Sequence, residues 1–306
     1  MGNGIWQGVH SAITTKFDED EAVDLDAVAA DVAFQIEGGV DGIICCGSLG
    51  EASTLVADEK IAIAGAAKAA AGRVPVMLTI AEDSTRAAVR LAERAAELEL
   101  DGLMVLPAMR YIADSRELLA HFRAVAKASD LPSIIYNNPV AYTIDLTPPL
   151  LAELADEPRY TAIKESSADL RRITDIRNLL GDRYEILTGV DDLALESLVL
   201  GCSGWIAGLV CAFPKETVAI YRLVQAGRTA EALEIYRWFM PLLHLDFSTR
   251  FVQNIKLVEH LVRGTATTVR QPRLELVGAE REAVVAVTEK ALAARPDLSR
   301  YGIGLD

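Results

Sequence analysis

The feature that most constrains the fold is a regular alternation of short β-rich segments with longer helical patterns. The β-rich segments are Val9–Thr15, Gly42–Cys46, Val74–Ile80, Gly102–Leu106, Ser133–Tyr136, Thr161–Lys164, Glu185–Gly189 and Gly204–Gly208. Eight β/α units at this spacing predict an α/β protein, a closed (β/α)8 TIM barrel, rather than an open doubly wound sheet. No GxGxxG motif follows the first segment, which disfavours a dinucleotide-binding domain.

Helical patterns separate these segments and continue beyond the eighth. Those between segments include Asp58–Ala71, Thr85–Glu97, Arg116–Ala128, Asp169–Leu180 and Leu193–Leu200. Those that follow are Lys215–Ala226, Thr229–Leu245, Thr249–Val262 and Glu280–Ala293. Because they are too many for one closing helix, we expect a barrel over residues 1–213 and a C-terminal helical subdomain, packed on it, over residues 214–306. The apolar face expected to turn inward comprises Trp238, Phe239, Leu242 and Leu243.

Composition narrows the classes of function. A hydrophobic content of 51% over 306 residues supports a large core. The 30 basic residues are scattered among 44 acidic ones, with a net charge of −14, so we expect no nucleic-acid partner. Residues 1–7 lack the features of a signal peptide, and no uninterrupted apolar run reaches about 18 residues. We therefore expect a cytoplasmic protein without a membrane segment.

The cysteines and histidines show no metal-binding pattern. The four cysteines form no CxxC pair, and the four histidines form no HExxH cluster, so we predict no metal site. Three of the cysteines lie in or near apolar strand-like runs, where a reduced, buried thiol is the usual state.

Two neighbouring β-rich segments end at reactive side chains, Tyr136 and Lys164. The intervening residues 145–155 are typical of a helix, with Thr147 as N-cap and Pro148 at the first helical position. A strand–helix–strand unit of this kind has parallel strands. Both side chains should therefore emerge at the same end of the sheet.

A lysine at the end of an apolar strand needs an explanation, because burying an ammonium group is costly unless it is paired or neutral. Lys164 either reaches solvent or pairs with an acid such as Glu165, or it has a lowered pKa and attacks a carbonyl to form a Schiff base. In the second case, the Tyr136 hydroxyl would serve as a proton shuttle.

A glycine-containing turn, Gly47-Ser48-Leu49-Gly50-Glu51, follows the second β-rich segment. Its backbone N–H groups, beside the Ser48 hydroxyl, could hold a substrate carboxylate. The same turn could also merely join a strand to a helix. The functional interpretation gains weight because Tyr136 and Lys164 are predicted at the same barrel mouth.

Three motifs, in this order, resemble those of the dihydrodipicolinate synthase / N-acetylneuraminate lyase family of class I, Schiff-base-forming enzymes. They are Gly47–Glu51, Tyr136–Pro139 and Lys164-Glu165, and the resemblance covers nearly the whole chain. It implies that Lys164 condenses with a 2-oxo acid and that Tyr136 relays protons. It also implies that Ser48 orients Tyr136 and the substrate carboxylate.

The resemblance further implies a cofactor-free enzyme with a small-molecule substrate, either a 2-oxo acid or a pyrroline carboxylate. The substrate-binding residues predicted on this basis are Gly47, Leu49, Gly50, Asn138 and Ile206. Family members are commonly tetramers or dimers, so a homo-oligomer is expected.

The chain also departs from the pattern of the synthases. Leu49 replaces the second hydroxyl of the turn, and Met109 lies where synthases carry a tyrosine pair, so the proton relay should be broken there. Ala141 stands where synthases have an arginine for the second substrate's carboxylate. These departures disfavour dihydrodipicolinate synthesis, with Arg110 as the one nearby cation that could replace the arginine.

Among family branches, four stretches look most similar to the 1-pyrroline-4-hydroxy-2-carboxylate deaminases of hydroxyproline catabolism. They are Met109–Tyr111, Tyr136–Pro139, Asp169–Ile173 and Trp238–Asp246. The main alternative is a pyruvate-dependent aldolase or dehydratase of 2-keto-3-deoxy sugar acids. A third hypothesis is a barrel that binds an oxo acid without catalysis.

The far end of the pocket should separate the two enzymatic alternatives. A small apolar pocket around Leu49 and Met109 would favour the compact pyrroline ring, whereas a polar one would favour a polyhydroxylated sugar acid. The positions that would supply such polarity are Asn138, Tyr142, Ser167, Gly189 and Asp191. For Asp191 and Asp192, capping of the following helix is the preferred interpretation.

Overall fold

The structure is a computed structural model that describes residues 4–108 and 110–305. The strands in this part of the chain are β1 (Gly8–Ala12), β2 (Gly42–Cys45), β3 (Val76–Ile80), β4 (Gly102–Val105), β5 (Ser133–Asn137), β6 (Tyr160–Glu165), β7 (Glu185–Thr188) and β8 (Gly204–Ala207). Each pairs in parallel with its neighbours in sequence, and β8 pairs with β1, which closes the barrel. The predicted TIM barrel is confirmed.

Helices surround the barrel and continue beyond it. Those between the strands are α1 (Leu25–Glu37), α2 (Ala57–Ala70), α3 (Thr85–Glu97), α4 (Ser115–Ala128), α5 (Pro139–Tyr142), α6 (Pro148–Ala152), α7 (Arg171–Leu180) and α8 (Ala194–Val199). The C-terminal helices are α9 (Pro214–Gln225), α10 (Thr229–Leu243), α11 (Phe251–Arg263) and α12 (Gly278–Ala293), which begin and end within two residues of their predicted bounds. No helix in the described ranges is both long and apolar enough to cross a membrane.

The connection from β5 to β6 differs from the predicted helix over residues 145–155. Thr147 lies at the N-cap position and Pro148 at the first helical position, as predicted, but the Thr147 hydroxyl makes no capping hydrogen bond and α6 has only five residues. Residues 153–155 each donate a backbone hydrogen bond to the residue three positions earlier. The chain therefore tightens into 3₁₀-type turns instead of continuing the α-helix.

Apolar side chains fill the barrel interior, and a larger apolar layer lies between the strands and the helices. Gly42 on β2 makes room for His10 on β1, because a Cβ at position 42 would lie 2.1 Å from the His10 Nδ1 atom. The expected inward face of α10 is confirmed for Phe239, Leu242 and Leu243, which are buried. The partly buried Trp238 packs on the same core and donates its Nε1–H to the Ala291 carbonyl over 2.9 Å.

The cysteine thiols are free and buried, as the apolar context of three of them predicts. These cysteines are Cys45, Cys46, Cys202 and Cys211. Burial raises the pKa of the Cys46 and Cys202 thiols to about 12, so both are protonated at neutral pH.

A buried ion pair joins the barrel mouth to the C-terminal helices. Glu51, at the end of the turn after β2, is fully buried, and its carboxylate lies 2.6 Å from the Lys256 Nζ atom of α11. The same carboxylate accepts a hydrogen bond from the Arg270 backbone N–H over 3.1 Å. A buried charge is tolerated only when it is paired and hydrogen-bonded, so this turn depends on the C-terminal part of the chain.

Replacing Lys256 with methionine should therefore destabilise the protein strongly, because it removes the closest and most buried cation of the Glu51 carboxylate and leaves only the longer contact with Arg273 at 3.6 Å. We expect a loss of about 3–5 kcal/mol in the free energy of unfolding, measured in urea. Lys68→Met is the matched control. Its pair with Asp101 is equally short at 2.6 Å, but both side chains are about one-third exposed, so the loss should stay below about 1 kcal/mol. Equal losses in the two variants would contradict the proposed role of Lys256.

Candidate active site

A cavity of about 600 Å³ opens at the carboxyl ends of the strands, where TIM barrels carry their active sites. The predicted site residues that line it are Gly47, Ser48, Leu49, Tyr136, Asn138, Lys164 and Ile206. Gly50 does not line it, since this residue packs behind the turn against the backbone of Cys46 and Ile13. Met109, where the sequence predicts a broken proton relay, lies outside the described residues.

Lys164 stands at the base of this cavity beside Tyr136. The two residues are opposite each other in the register of β5 and β6, as predicted, and the Lys164 Nζ atom lies 4.2 Å from the centre of the Tyr136 ring. Lys164 is only 7% exposed. Among the residues that the structure describes, no group forms a hydrogen bond or ion pair with its amine. The amine therefore has little contact with solvent and no paired acid, which favours the nucleophile interpretation.

Burial lowers the pKa of Lys164 to about 8, although the negative charges of Asp246 and Asp191 act in the opposite direction. A larger share of this amine is therefore neutral near pH 7 than for an ordinary lysine. Glu165, the sequence-adjacent acid, points away from Lys164, as neighbouring strand residues do. Its carboxylate accepts hydrogen bonds from the Asn137 Nδ2 at 3.1 Å and the Ser167 N–H at 2.7 Å.

Space for the Lys164 side chain comes from Gly189, just after β7. A Cβ at position 189 would lie 2.3 Å from the Lys164 Cε atom and 2.2 Å from the Ser166 Oγ atom. Ser166 also lines the cavity, and its hydroxyl lies near the Tyr136 hydroxyl, whose pKa it acts to lower. The sequence pointed to Ser167 instead, which lies outside the lining.

Tyr136 is held by its neighbours with the hydroxyl at the cavity wall. The Asn138 Nδ2 donates to the Tyr136 hydroxyl over 3.1 Å, and the Tyr142 ring meets the Tyr136 ring edge to face. Burial raises the pKa of Tyr136 to about 12, so this residue is a proton donor in the resting site. It can act as a base only after its proton has passed to another group.

Ser48 contacts a different tyrosine from the one that the family resemblance implied. Its hydroxyl forms a short hydrogen bond with the Tyr142 hydroxyl, and Tyr142 in turn packs on Tyr136. Burial raises the pKa of Tyr142 as well. Ser48 therefore acts on Tyr136 through Tyr142, a residue that the sequence placed only at the far end of the pocket.

The acids after β7 do not cap the following short helix. Asp191 accepts hydrogen bonds from the Trp205 Nε1–H at 2.9 Å and from the backbone N–H groups of Gly208 at 3.1 Å and Leu209 at 2.9 Å. Asp192 pairs with His244 at 2.9 Å, beside the end of α10. The capping prediction for both residues is wrong, because nearby barrel and helix groups bind their carboxylates instead.

The arginine that lines the cavity is not the one that the sequence suggested. The Arg110 guanidinium is 84% exposed, pairs with Asp83 at 3.1 Å and does not line the cavity. Arg273, in the segment between α11 and α12, does line it. Its guanidinium lies 3.6 Å from the Glu51 carboxylate, which already pairs with Lys256. Sequence reasoning missed Arg273 because this residue belongs to no motif and to no helical pattern.

Fold and site together define a TIM-barrel lyase of the aldolase type. The sequence model of the dihydrodipicolinate synthetase family matches residues 6–291, and the chain belongs to this family. A 4-hydroxy-tetrahydrodipicolinate synthase from Pelobacter propionicus is 31% identical, over 92% of this chain and 98% of the relative.

Solved structures agree with this membership. A dihydrodipicolinate synthase from Aquifex aeolicus is 29% identical, with a TM-score of 0.89 over 93% of this chain and 98% of that one. A synthase from Cyanidioschyzon merolae with lysine bound is 26% identical, with a TM-score of 0.90 over 94% and 99% of the two chains.

Replacing Gly189 with alanine should block access of the Lys164 amine to substrate, because the new methyl group would overlap the Lys164 side chain and displace it. We expect at least a tenfold loss in the yield of the adduct trapped with pyruvate and borohydride, measured by mass spectrometry. Gly65→Ala is the matched control, since nothing lies within 4 Å of its added Cβ in α2. Full labelling of Gly189→Ala would show that Lys164 does not need this space.

Proposed function

We propose that the Lys164 amine forms a Schiff base with a small 2-oxo acid or its cyclic imine, and that the reaction is the deamination of 1-pyrroline-4-hydroxy-2-carboxylate. The observation that carries the proposal is the buried, unpaired Lys164 amine in contact with the Tyr136 ring inside a cavity. The lowered pKa of this amine makes more of it neutral and nucleophilic near neutral pH, and the adjacent Tyr136 is the residue that we propose moves protons.

The residues present can serve each step. The Lys164 amine adds to the imine carbon C2 and gives one of its protons to the ring nitrogen. That nitrogen then leaves as an amine, with a second proton from Tyr136, which opens the ring and leaves a protonated Lys164 Schiff base and a Tyr136 phenolate. The phenolate takes a proton from C3, and the hydroxyl on C4 departs as water. The C3–C4 double bond then shifts to C5: one proton leaves C5 and one leaves the C5 amine, C3 and C4 each gain one, and C5 becomes an imine carbon. One water hydrolyses this imine and releases ammonia, and a second hydrolyses the Lys164 Schiff base and releases 2,5-dioxopentanoate.

The lining of the cavity supports the compact ring over a polyhydroxylated sugar acid. Leu49, Val140 and Ile206 present apolar surface to it. The polar groups expected at the far end are already engaged. The Asn138 side chain binds the Tyr136 hydroxyl and the Ala141 N–H, and the Tyr142 hydroxyl binds Ser48. Asp191 is likewise occupied by three donors. These three side chains therefore have few free positions for a row of substrate hydroxyls, whereas the lining Asp246 stays available for a single one.

The Lys164→Arg variant tests the nucleophile, because an arginine keeps the charge but cannot supply a neutral amine. We expect no ammonia release from the hydroxypyrroline carboxylate, no borohydride-trapped adduct, and an unchanged thermal unfolding curve. The conserved unfolding curve is the control for folding. An adduct that persists on another lysine in this variant would refute the assignment of Lys164.

A second candidate is 4-hydroxy-tetrahydrodipicolinate synthesis, the activity in the names of the relatives. One structural observation favours it: Arg273 lines the cavity and could hold the second substrate's carboxylate in place of an arginine at position 141. Against it, Arg273 lies next to Glu51 and Ser53, at 3.6 and 3.5 Å. Loss of a charge-assisted carboxylate contact costs about 1.5–3 kcal/mol, which is roughly ten- to more than a hundredfold in kcat/KM.

We therefore expect negligible synthase turnover with pyruvate and aspartate semialdehyde in a coupled assay. Arg273→Ala and Arg110→Ala form a matched pair of variants for this test, because Arg110 lies outside the cavity. Synthase-like turnover in the parent that disappears in Arg273→Ala but survives in Arg110→Ala would establish the second candidate instead.

We also propose a homo-oligomer, a dimer or a tetramer. The loop between β4 and α4 carries two large apolar side chains in solvent, Tyr111 at 61% and Ile112 at 72% exposure. Contiguous apolar surface of this kind marks interaction sites. Light scattering that gave the mass of a single chain would contradict this part of the proposal.

A further inference from the structure

Asp246, just beyond the end of α10, carries the one cavity-lining carboxylate in the described ranges with no hydrogen-bond or ion-pair partner. The other lining acids both have partners. Asp191 accepts hydrogen bonds from the Trp205 side chain and two backbone N–H groups, and Asp192 pairs with His244. A carboxylate without a partner in a partly buried position is costly. Such a group points to a ligand that completes its hydrogen bonding.

The position of Asp246 is fixed from both sides. The Asn254 Nδ2 on α11 donates to the Leu245 carbonyl over 2.9 Å and to the Ser248 hydroxyl over 3.1 Å, so the turn that contains Asp246 is held on each side of it. The carboxylate lies against the backbone at the end of β8, since a Cβ on Gly208 would be 2.8 Å from the Asp246 Oδ1 atom. A group held in this way is preorganised for contact with a substrate.

Asp246 faces the groups that carry out the chemistry. Its charge acts on Lys164 from β6, on Tyr136 from β5 and on Tyr142 from α5. Partial burial beside Asp191 raises the pKa of Asp246 well above its usual range, while the Lys164 charge acts against this rise. A carboxyl group whose pKa is raised in this way takes up a proton more readily than an ordinary aspartate and can donate it to a leaving group.

We propose that Asp246 is the general acid that protonates the departing C4 hydroxyl of the substrate. The inference rests on the proposed function. After Tyr136 has taken the C3 proton, the electron pair of that C–H bond forms the enamine. The enamine then forms a C3–C4 double bond as the C4–O bond breaks, and its nitrogen returns to the protonated Schiff base. The oxygen leaves with the C–O electron pair and receives the Asp246 proton, so the products of this step are water, the conjugated Schiff base and the Asp246 carboxylate.

The test compares two substrates in the parent and in Asp246→Asn. The first is 1-pyrroline-4-hydroxy-2-carboxylate, whose hydroxyl needs a proton to leave. The second is its 4-chloro analogue, whose chloride needs none. We expect kcat on the hydroxy substrate to fall by about 10²–10⁴-fold in the variant, the range typical of general acids. On the chloro analogue it should fall by less than about threefold. A merely structural role would lower both rates alike.

Three controls make the result decisive. Borohydride trapping of pyruvate on Asp246→Asn should equal the parent, which shows a folded site with an active Lys164. Asp246→Glu keeps a carboxylic acid and should recover part of the lost rate. Asp130→Asn makes the same carboxyl-to-amide change at an exposed position before β5, at the opposite end of the barrel, and should leave both rates unchanged.

The outcomes separate this inference from the proposed function. Suppose that the parent deaminates the hydroxypyrroline. If kcat of Asp246→Asn then stays within about threefold of the parent value, or falls equally on both substrates, the role of Asp246 is overturned and the proposed function stands. If the parent forms the trapped adduct with pyruvate but releases no ammonia from the hydroxypyrroline, the proposed function is overturned. The proposed role of Asp246 is then overturned as well.

Discussion

The buried ion pair between Glu51 and Lys256 is the interaction on which the barrel mouth depends. Glu51 has a positive φ of 55° and no exposed surface, so its conformation is stable only because the surrounding chain holds it. The Lys256 ammonium that neutralises it comes from α11. A second buried pair, Lys16 with Glu259 at 2.5 Å, ties the chain after β1 to the same helix. The C-terminal helices are therefore part of the structure that shapes the site.

A second constraint is the removal of water from the Lys164 amine. Burial favours the neutral form of this amine, while two acids near the cavity favour the charged form, and the balance leaves a pKa of about 8. Were either acid paired directly with Lys164, the ammonium would be stabilised and the nucleophile lost. Asp191 is kept from such pairing by three donors of the barrel wall. The hydrogen bonds around Asp191 thus keep this acid from pairing with the Lys164 amine.

The sequence predicted well those features that follow from local periodicity and strand register. Parallel strands that are buried on both faces appear in the sequence as short apolar runs, so the barrel was predictable. The positions of Tyr136 and Lys164 at the ends of neighbouring strands made their proximity predictable as well. Contacts that arise from tertiary packing could not be predicted from the sequence. Ser48 binds Tyr142 because α5 folds over the mouth, and no sequence spacing encodes that approach. Asp246 and Arg273 reach the cavity from turns beside α11 that have no periodic pattern. Neither could be placed before the C-terminal helices were docked.

The cavity consequently has two walls with different roles. The barrel wall carries Lys164 and Tyr136, and the C-terminal wall carries Asp246 and Arg273. On that wall, the charge of Arg273 is directed toward Glu51, 3.6 Å away. A dianionic substrate would have to compete with Glu51 for this guanidinium. In the proposed reaction, a monoanionic cyclic imine with its carboxylate at the turn beside Ser48 would leave the Glu51 cluster intact and place its hydroxyl near the unpaired Asp246. This charge distribution is the structural basis on which the proposed function differs from the synthase activity in the names of the relatives.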